Sequence, residues 1–295
     1  MEVFLTGATG YIGSAVAEAL QKAGHHVSGI ARTAEKAKLM EGRGIRASLG
    51  DILKPDAVAA LAHAADGVIH TANTNDTGSA QADAAVVRAL LKTLESTGKP
   101  FVYTSGVWVL GSTGSKVADE NTPVNPTPLV AHRPAIEQEV LGYQSHGVRT
   151  IVIRPAVVYG RGGGMPAMLT GSARATGAAR FVGDGQSRWA FVNVDDLAQL
   201  YVLALEKAPA GALYNAAYGP SFRIGEIAEA AGRAVGAKDK PQAIPLEEAR
   251  KTMGAFADAL VLDQQISGEK ARKDLGWSPR AASLLEDLKS GSYSR

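Results

Sequence analysis

The sequence has 295 residues and no cysteine, which excludes disulfides, thiol catalysis and thiolate metal sites. Its formal net charge is only +2, and lysine and arginine are dispersed along the chain, so neither nucleic acid nor a membrane surface is a predicted partner. Gly, Asp, Arg or His interrupts every apolar run before it reaches membrane-spanning length. The six histidines show no metal-ligand spacing. These absences, with an apolar strand directly after Met1 in place of a signal peptide, predict a cytoplasmic protein that acts on a small molecule.

What is present is concentrated at the start of the chain. An apolar strand, Glu2–Thr6, leads into the turn Gly7-Ala8-Thr9-Gly10-Tyr11-Ile12-Gly13, after which apolar residues recur at helical spacing. Such a unit places free backbone N–H groups at a helix N-terminus, where the helix dipole favours a phosphate. The three glycines permit a tight turn, a close approach of the pyrophosphate and packing of helix on strand. The turn therefore predicts a dinucleotide site, with a purely structural tight turn as the alternative.

The end of the second strand bears on which dinucleotide binds. His26–Ala31 reads as that strand, and it is followed by Arg32 and Thr33 with no carboxylate. A carboxylate there would accept bonds from both ribose hydroxyls and repel a 2′-phosphate, whereas a guanidinium can pair with the phosphate. The sequence favours NADP and leaves NAD open. The alternative interpretation of Arg32 is a solvated surface arginine.

Alternating strand and helix patterns predict an α/β fold of the Rossmann type, with a doubly wound parallel sheet covered on both faces. We expect a nucleotide domain over 1–158 with a return segment at about 189–216. A smaller, discontinuous substrate lobe would take 159–188 and 217–295, with a frayed tail from Ser290. Ligands of such sheets lie beyond the carboxyl ends of the strands, where Asp51, Asn73, Thr104 and Ser105 fall.

With these elements in place, the chain resembles the extended short-chain dehydrogenase/reductase family, in its NAD(P)-dependent epimerase/dehydratase group. The similarity covers about residues 2 to 285. The motifs that carry it occur in the family's order: the turn from Thr6 to Gly13, Gly50-Asp51, Val68-Ile69-His70, Phe101-Val102-Tyr103-Thr104-Ser105, Arg154-Pro155-Ala156-Val157-Val158-Tyr159-Gly160, Phe191-Val192-Asn193-Val194-Asp195-Asp196-Leu197-Ala198, Tyr214-Asn215 and Leu275-Gly276-Trp277-Ser278-Pro279.

The resemblance implies a set of cofactor contacts. They run from the pyrophosphate through the adenine and ribose to the nicotinamide: Gly7, Thr9, Gly10, Tyr11, Ile12, Gly13, Asp51, Ile52, Ala72, Asn73, Thr104, Arg133, Pro155 and Val157. For Asp51 a strand-end turn or a helix cap is an equal alternative. His70, on an apolar strand, is interpreted as a core histidine. The family also suggests a homodimer formed through helices near 84–95 and 134–144.

The expected catalytic residues are replaced. Family enzymes use a Ser or Thr after the central strand and a Tyr-x-x-x-Lys pair, in which the lysine lowers the pKa of the phenol. The matching positions here are Gly106, Leu129 and Arg133. Leu129 cannot transfer a proton, and Arg133 can hold ribose hydroxyls but cannot deprotonate. A helix beginning at Pro134 would also leave His132 and Arg133 in its lead-in.

Candidate replacements lie close by in the sequence. His132 has an ordinary pKa of about 6.5, which suits a general acid, although a solvent-facing or capping histidine is the alternative. Ser105 would polarise a carbonyl or bond to a backbone neighbour, and Arg133 would complete the catalytic set. Substrate contacts are predicted for Trp108, with a core tryptophan as the alternative, and for Tyr159, which family members often have without a catalytic duty. Arg188 is a third candidate, because it lies near, although one residue out of register from, a basic group that holds the diphosphate in the family's nucleotide-sugar enzymes.

The sequence therefore predicts an atypical NADP-dependent oxidoreductase acting on a small carbonyl or hydroxyl substrate, with protonation by His132, Ser105 or water. One alternative is a non-catalytic NAD(P)-binding sensor or scaffold. The other is a nucleotide-sugar-type epimerase or dehydratase that retains its cofactor.

Overall fold

Strands and helices alternate through the first half of the chain. A computed structural model describes residues 1–74 and 76–294, which leaves Arg295 of the predicted smaller lobe outside the described residues. The strands are β1 (Glu2–Thr6), β2 (His26–Ala31), β3 (Arg46–Leu49), β4 (Gly67–His70), β5 (Pro100–Thr104), β6 (Val117–Ala118), β7 (Arg149–Pro155), β8 (Val157–Gly160), β9 (Arg180–Val182), β10 (Arg188–Trp189), β11 (Phe191–Asn193), β12 (Ala212–Ala216), β13 (Phe222–Arg223), β14 (Gln242–Ile244) and β15 (Gln265–Ile266).

The helices connect these strands and cover the sheet. In chain order they are α1 (Tyr11–Lys22), α2 (Ala34–Glu41), α3 (Pro55–Ala62), α4 (Ser79–Leu94), α5 (Arg133–Gly142), α6 (Gly164–Thr176), α7 (Val194–Lys207), α8 (Ile224–Ala234), α9 (Leu246–Met253), α10 (Phe256–Leu260), α11 (Glu269–Leu275) and α12 (Leu284–Ser290). Short 3-10 helices span Val107–Leu110, Pro128–Val130 and Tyr143–His146. Within residues 1–74 and 76–294, no helix combines the length and apolar character needed to cross a bilayer.

The described chain forms a parallel sheet of seven strands in the order β12-β7-β5-β4-β1-β2-β3. The predicted Rossmann-type fold is confirmed. The strand order reverses between β1 and β4, so the connections leave these two strands in opposite directions. A crevice opens beyond their carboxyl ends, which is where such sheets bind ligands.

Both faces of the sheet are buried, which explains the continuous apolar strands. Helices α1 and α7 pack together on one face, where Val3 and Leu5 of β1 are fully buried. Helices α3, α4 and α5 cover the other face, on which Phe4 of β1 is 2 % exposed. Because a parallel sheet has no solvated face, period-2 alternation is absent from these strands.

A smaller lobe has a hydrophobic core of its own. Side chains from α6, α8, α9, α10 and α12 pack with β8, β9 and β11 in this core. The lobe's boundaries differ in one respect from those that the sequence predicts. Ala271, Leu275 and Trp277 pack in the core of the main domain, where the Trp277 indole N–H donates to the Asp196 carbonyl at 2.8 Å.

The C-terminal tail is docked, so the prediction of a frayed tail from Ser290 is wrong. Tyr293 is only 2 % exposed. Its hydroxyl accepts a hydrogen bond from Gly160 N at 2.8 Å and donates one to Gly163 O at 2.6 Å. The serine- and glycine-rich composition of the tail predicts fraying, but one aromatic side chain with two backbone partners holds it to the smaller lobe.

A buried ion pair ties β7 to α5. Arg154 is 4 % exposed and Glu137 is 2 % exposed, and the guanidinium contacts both carboxylate oxygens, with Nε donating to Oε1 at 2.9 Å. Removing one member of such a pair leaves the other charge buried and uncompensated.

We therefore expect Glu137→Leu to lower the free energy of unfolding by about 3 kcal/mol or more, measured by denaturant titration. Glu139→Leu is the matched control on the same helix, because the partner of Glu139 is the exposed Arg88, and its loss is expected to be much smaller. Adding Arg154→Met to Glu137→Leu should recover much of the stability. Equal losses from Glu137→Leu and Glu139→Leu would contradict the assignment.

Candidate active site

The turn between β1 and α1 has no space for side chains at its glycines. A Cβ on Gly13 would lie 2.1 Å from Gly7 O, and one on Gly7 would lie 2.8 Å from Thr71 Oγ1. Gly7 also has φ +78°, a left-handed conformation that favours glycine. Gly10 is the N-cap of α1, and among the described residues no side chain caps this helix start. The first amides of α1 are therefore available to an anion.

A cavity of about 520 Å³ lies over this turn and the crevice beside it. Most residues predicted to bind the cofactor line it, together with residues that the sequence analysis did not select. The predicted ones are Gly7, Thr9, Gly10, Tyr11, Ile12, Gly13, Arg32, Ile52, Ala72, Asn73, Thr104 and Arg133, joined by Ser105 from the predicted catalytic set. The additional ones are Ile30, Ala31, Lys36, Thr71, Thr74 and Asp83.

Two cations mark one end of the cavity. Arg32 follows β2, and Lys36 lies in the first turn of α2, whose N-cap Thr33 accepts a bond from Lys36 N at 3.3 Å. Both side chains are exposed and neither forms an ion pair within residues 1–74 and 76–294. This end of the cavity is therefore suited to a phosphate.

The other end carries Ser105, Thr104 and Arg133. The Ser105 side chain is 5 % exposed, and its Oγ has no hydrogen-bond partner in the described structure. Thr104 Oγ1 lies 2.6 Å from the Tyr201 hydroxyl, and Arg133 Nη1 donates to Thr104 O at 3.4 Å. The Nε of Arg133 is buried without a partner among the described residues. The Ser105 hydroxyl and the Arg133 guanidinium can therefore both donate hydrogen bonds to an oxygen atom of a ligand.

His132 does not join this pair. It lies at the N-cap position of α5, which begins at Arg133, and it is not among the residues that line the cavity. Burial, and then the neighbouring charge of Arg133, lower the pKa of His132 below its usual value, so the imidazole is neutral at pH 7. Of the three predicted catalytic residues, Ser105 and Arg133 line the cavity and His132 does not, although the Nε2 of His132 is buried without a partner among the described residues.

Leu129 and Gly106, which the family resemblance aligns with the tyrosine and serine positions, have no side-chain group that could transfer a proton. Leu129 lies on a 3-10 helix and is 37 % exposed. Gly106 has extended backbone with φ 176°, and a Cβ there would lie 3.9 Å from Arg133 Nη1, which is ordinary contact. Space for a side chain at residue 106 therefore exists beside Arg133.

A buried hydrogen-bond network forms one wall of the cavity. Thr6 Oγ1 accepts bonds from the amides of Thr71 at 3.2 Å and Ala72 at 3.3 Å, so its own hydrogen goes to His70 Nδ1 at 2.7 Å. The proton of His70 must then lie on Nε2, which is 3.1 Å from Asp83 Oδ1. Tyr103 donates to Asp83 Oδ2 at 2.6 Å, so each carboxylate oxygen of Asp83 accepts one bond. His70 is the satisfied core histidine that the sequence predicts.

The Asp83 carboxyl is held in its ionised form. Burial raises its pKa, but the hydrogen bonds from His70 and Tyr103 and the charge of Arg133 lower it by more. A pKa below the usual value means that the carboxylate contributes stability above the unfolded-state pKa of about 4. This contribution is lost as the pH falls through the folded-state pKa.

Comparison with known proteins decides the family. Residues 3–217 match the model of the NAD dependent epimerase/dehydratase family. The chain belongs to that family. An uncharacterised protein of Schizosaccharomyces pombe is 34% identical over 300 residues, which cover 99% of this chain and 100% of the relative.

Relatives of named activity are more distant. UDP-glucose 4-epimerase of Mycolicibacterium smegmatis is 27% identical, over 96% of this chain and 95% of its own. 2-Alkyl-3-oxoalkanoate reductase of Stenotrophomonas maltophilia is 26% identical, over 98% of both chains. Among solved structures, dTDP-glucose 4,6-dehydratase of Bacillus anthracis, crystallised with NAD, superposes with a TM-score of 0.84 over 100% of this chain and 96% of that one. Its 18% identity supports the shared fold alone.

Three residues that the family resemblance implies at the cofactor lie outside the cavity of this member. Asp51 Oδ1 accepts from Leu53 N at 3.0 Å and closes a turn, which is the structural alternative for this residue. Pro155 is buried at the end of β7, and Val157 is 6 % exposed within the core of the smaller lobe. None of the three is among the residues that line the cavity.

The three predicted substrate residues are also engaged elsewhere. The Tyr159 hydroxyl donates to Ala282 O at 2.7 Å. Arg188 forms a bidentate pair with Asp263, with Nε–Oδ1 2.9 Å and Nη2–Oδ2 2.8 Å. Trp108 packs against Phe256 with ring centroids 6.1 Å apart, and it does not line the cavity. The structure therefore does not bring these three residues to this cavity.

The residues that sequence reasoning missed had weak signals. Lys36 follows Arg32 by one helical turn, so the two basic residues can be recognised as a pair once α2 is placed. Asp83 lies among Ala82, Val86 and Val87 on the buried side of α4, where an acidic residue is unexpected. A carboxylate within an apolar stripe predicts a buried partner.

We expect Asp83→Asn to lower the free energy of unfolding by about 1–3 kcal/mol at pH 7, because the amide must present an NH₂ group to one of two donors. Asp56→Asn, at an exposed site on α3, is the control and should cost much less. The ¹⁵N chemical shifts of the His70 ring should report a proton on Nε2. A proton on Nδ1, or an unchanged stability of Asp83→Asn, would contradict the network.

Proposed function

We propose that this protein is an NADP-dependent oxidoreductase that acts on a small substrate with a carbonyl or hydroxyl group. The observation that carries this proposal is the composition of a single cavity. One end combines the glycine turn with Arg32 and Lys36, and the other end presents Ser105 and Arg133. A dinucleotide laid along the cavity would have phosphates near the cations and its reactive ring near the hydroxyl.

The residues present fit such a cofactor. The turn excludes any Cβ at Gly7 and Gly13, and the uncapped start of α1 leaves amides for a pyrophosphate. Ala31 ends β2 in the place where an NAD-specific site has a carboxylate, and Arg32 and Lys36 supply two positive charges for a 2′-phosphate. When bound, the nicotinamide supplies hydride exchange with the carbon that carries the substrate oxygen.

The chain's own groups act on that oxygen. The Ser105 hydroxyl donates a hydrogen bond to it, and this donor is free because Ser105 Oγ has no partner in the described part of the protein. Arg133 remains protonated and stabilises the negative charge that develops as a carbonyl is reduced. Leu129 has no proton to give and Arg133 keeps its own, so water delivers the proton. The reductase and epimerase relatives support the reaction class, and the name of the reductase favours an oxo group as the reacting centre.

For the cofactor choice, we expect Arg32→Ala and Lys36→Ala each to weaken NADPH binding about tenfold while changing NADH binding little, because only NADPH carries the third phosphate. Lys38→Ala is the matched control on the same helix, since Lys38 does not line the cavity. Calorimetric titration with both nucleotides measures the effect. Equal losses for NADPH and NADH would remove the 2′-phosphate argument.

For the chemistry, the absorbance of NADPH is followed during incubation with a panel of ketones, aldehydes and oxo acids. Ser105→Ala should lower kcat by about 10²-fold or more, because the substrate oxygen loses a hydrogen-bond donor. Ser115→Ala, at an exposed serine, should have no effect, and His132→Ala should change kcat only a few-fold.

Two outcomes would favour the alternatives. NADPH binding without turnover across the whole panel would contradict the oxidoreductase and favour the sensor or scaffold, which the exposed Leu129 supports. Cofactor that remains bound through purification, with no net oxidation, would favour the epimerase or dehydratase.

A further inference from the structure

A second cavity lies in the smaller lobe, and it shares no lining residue with the dinucleotide cavity. Its volume is about 180 Å³, and it lies between α6 and β9, closed by residues of α9 and α10. The residues around it are Met165, Met168, Leu169, Ser172, Arg180, Phe181, Val182, Trp189, Ile224, Ile244, Met253 and Leu260.

The surface of this cavity is hydrocarbon and thioether. Apart from Arg180, the polar side chains among its lining residues already have partners. The Trp189 indole N–H donates to Leu260 O at 3.2 Å. Ser172 Oγ donates to Leu169 O at 2.9 Å and accepts from Arg180 N at 2.9 Å. No water would find hydrogen bonds in such a space, and apolar cavities of about 150 Å³ are known to stay dry and to bind benzene.

Three methionines make the wall of this cavity adaptable to the shape of a ligand. Met165, Met168 and Met253 contribute unbranched, polarisable side chains from two helices, and Met168 is 47 % exposed at the surface. Thioethers also make favourable contacts with aromatic rings. The cavity volume matches one aromatic ring or a short alkyl chain, and the exposed Met168 gives such a group a way in.

Arg180 sets the charge of the occupant. It is the one charged residue among those that line the cavity, and its side chain is exposed. It forms no ion pair with the residues that the structure describes. A guanidinium at the edge of an apolar cavity can pair with a carboxylate through two parallel hydrogen bonds. A neutral occupant would leave this arginine unused, and a cationic one would be repelled.

We propose that this cavity is a binding site for a small amphipathic carboxylate. Its aromatic ring or short alkyl chain fills the space between α6 and β9, and its carboxylate pairs with Arg180. The site is separate from the dinucleotide cavity, so it stands whether or not the proposed oxidoreductase activity does.

The methyl groups of the methionines can report binding at this cavity separately from binding elsewhere. The full chain carries five methionines, of which Met165, Met168 and Met253 line the cavity while Met1 and Met40 lie elsewhere. The protein is labelled with ¹³C at the methionine methyls and titrated with benzoate, hexanoate, benzyl alcohol and benzylammonium. Benzoate and hexanoate should shift the three cavity methyls and leave Met1 and Met40 unchanged. Benzyl alcohol should bind at least tenfold more weakly, and benzylammonium should produce no shift.

Two variants test separately the contribution of the Arg180 charge and that of the cavity volume. Arg180→Gln should weaken benzoate about tenfold and leave benzyl alcohol unchanged, whereas Arg43→Gln, an exposed arginine of the main domain, should change neither. Ile244→Phe places a ring in the cavity and should abolish the shifts with every compound, its folding being checked by the Met40 signal.

Two results would overturn the proposal. No shift of the cavity methyls with benzoate or hexanoate at millimolar concentration would show that no such site exists. Equal affinities for benzoate and benzyl alcohol, with no effect of Arg180→Gln, would show that the occupant is not a carboxylate. A calorimetric titration with NADPH on the same samples reports the dinucleotide cavity independently, so failure of one proposal is distinguishable from failure of the other.

Discussion

The contact on which the whole site depends is the approach of two backbone turns at the centre of the sheet. Gly7 lies so close to the Thr71–Ala72 backbone, and Gly13 so close to Gly7 O, that neither position has room for a Cβ. This contact lets α1 begin directly beyond β1 and aim its amides across the crevice. Tyr11 then reaches over the cavity edge, where its hydroxyl donates to Gly160 O at 2.7 Å and ties the nucleotide domain to the smaller lobe.

The order of the strands in the parallel sheet determines where charged and polar residues lie along the cavity. Because every strand of the sheet points the same way, β2, β4 and β5 deliver their C-terminal residues to one edge. Arg32 stands after β2, and Ser105 stands after β5 on the other side of the crevice. The charge of Arg133 has the buried Asp83 carboxylate near it, whereas Arg32 and Lys36 at the other end form no ion pair in the described structure. An anionic dinucleotide has only one favourable direction in such a field.

The sequence predicts what is local and misses what is distant. Strand and helix patterns and the glycine turn are encoded by neighbouring residues, and they predict the sheet and most of the cavity. The contacts of Tyr159 and Arg188 cannot be predicted from local patterns, because their partners, Ala282 and Asp263, lie 123 and 75 residues away along the chain. The contacts of Tyr293 are also distant in sequence. Nothing near Tyr293 indicates that its hydroxyl will accept a hydrogen bond from Gly160 N and donate one to Gly163 O.

Two buried polar groups without partners affect the energetics of the reactive end. A buried hydroxyl without a partner costs free energy in the folded protein, and Ser105 Oγ and Arg133 Nε both lack one in the described structure. An oxygen atom of a ligand would satisfy both groups at once. Both residues line the cavity, so a ligand oxygen there can supply the hydrogen bonds that these two groups lack within the protein.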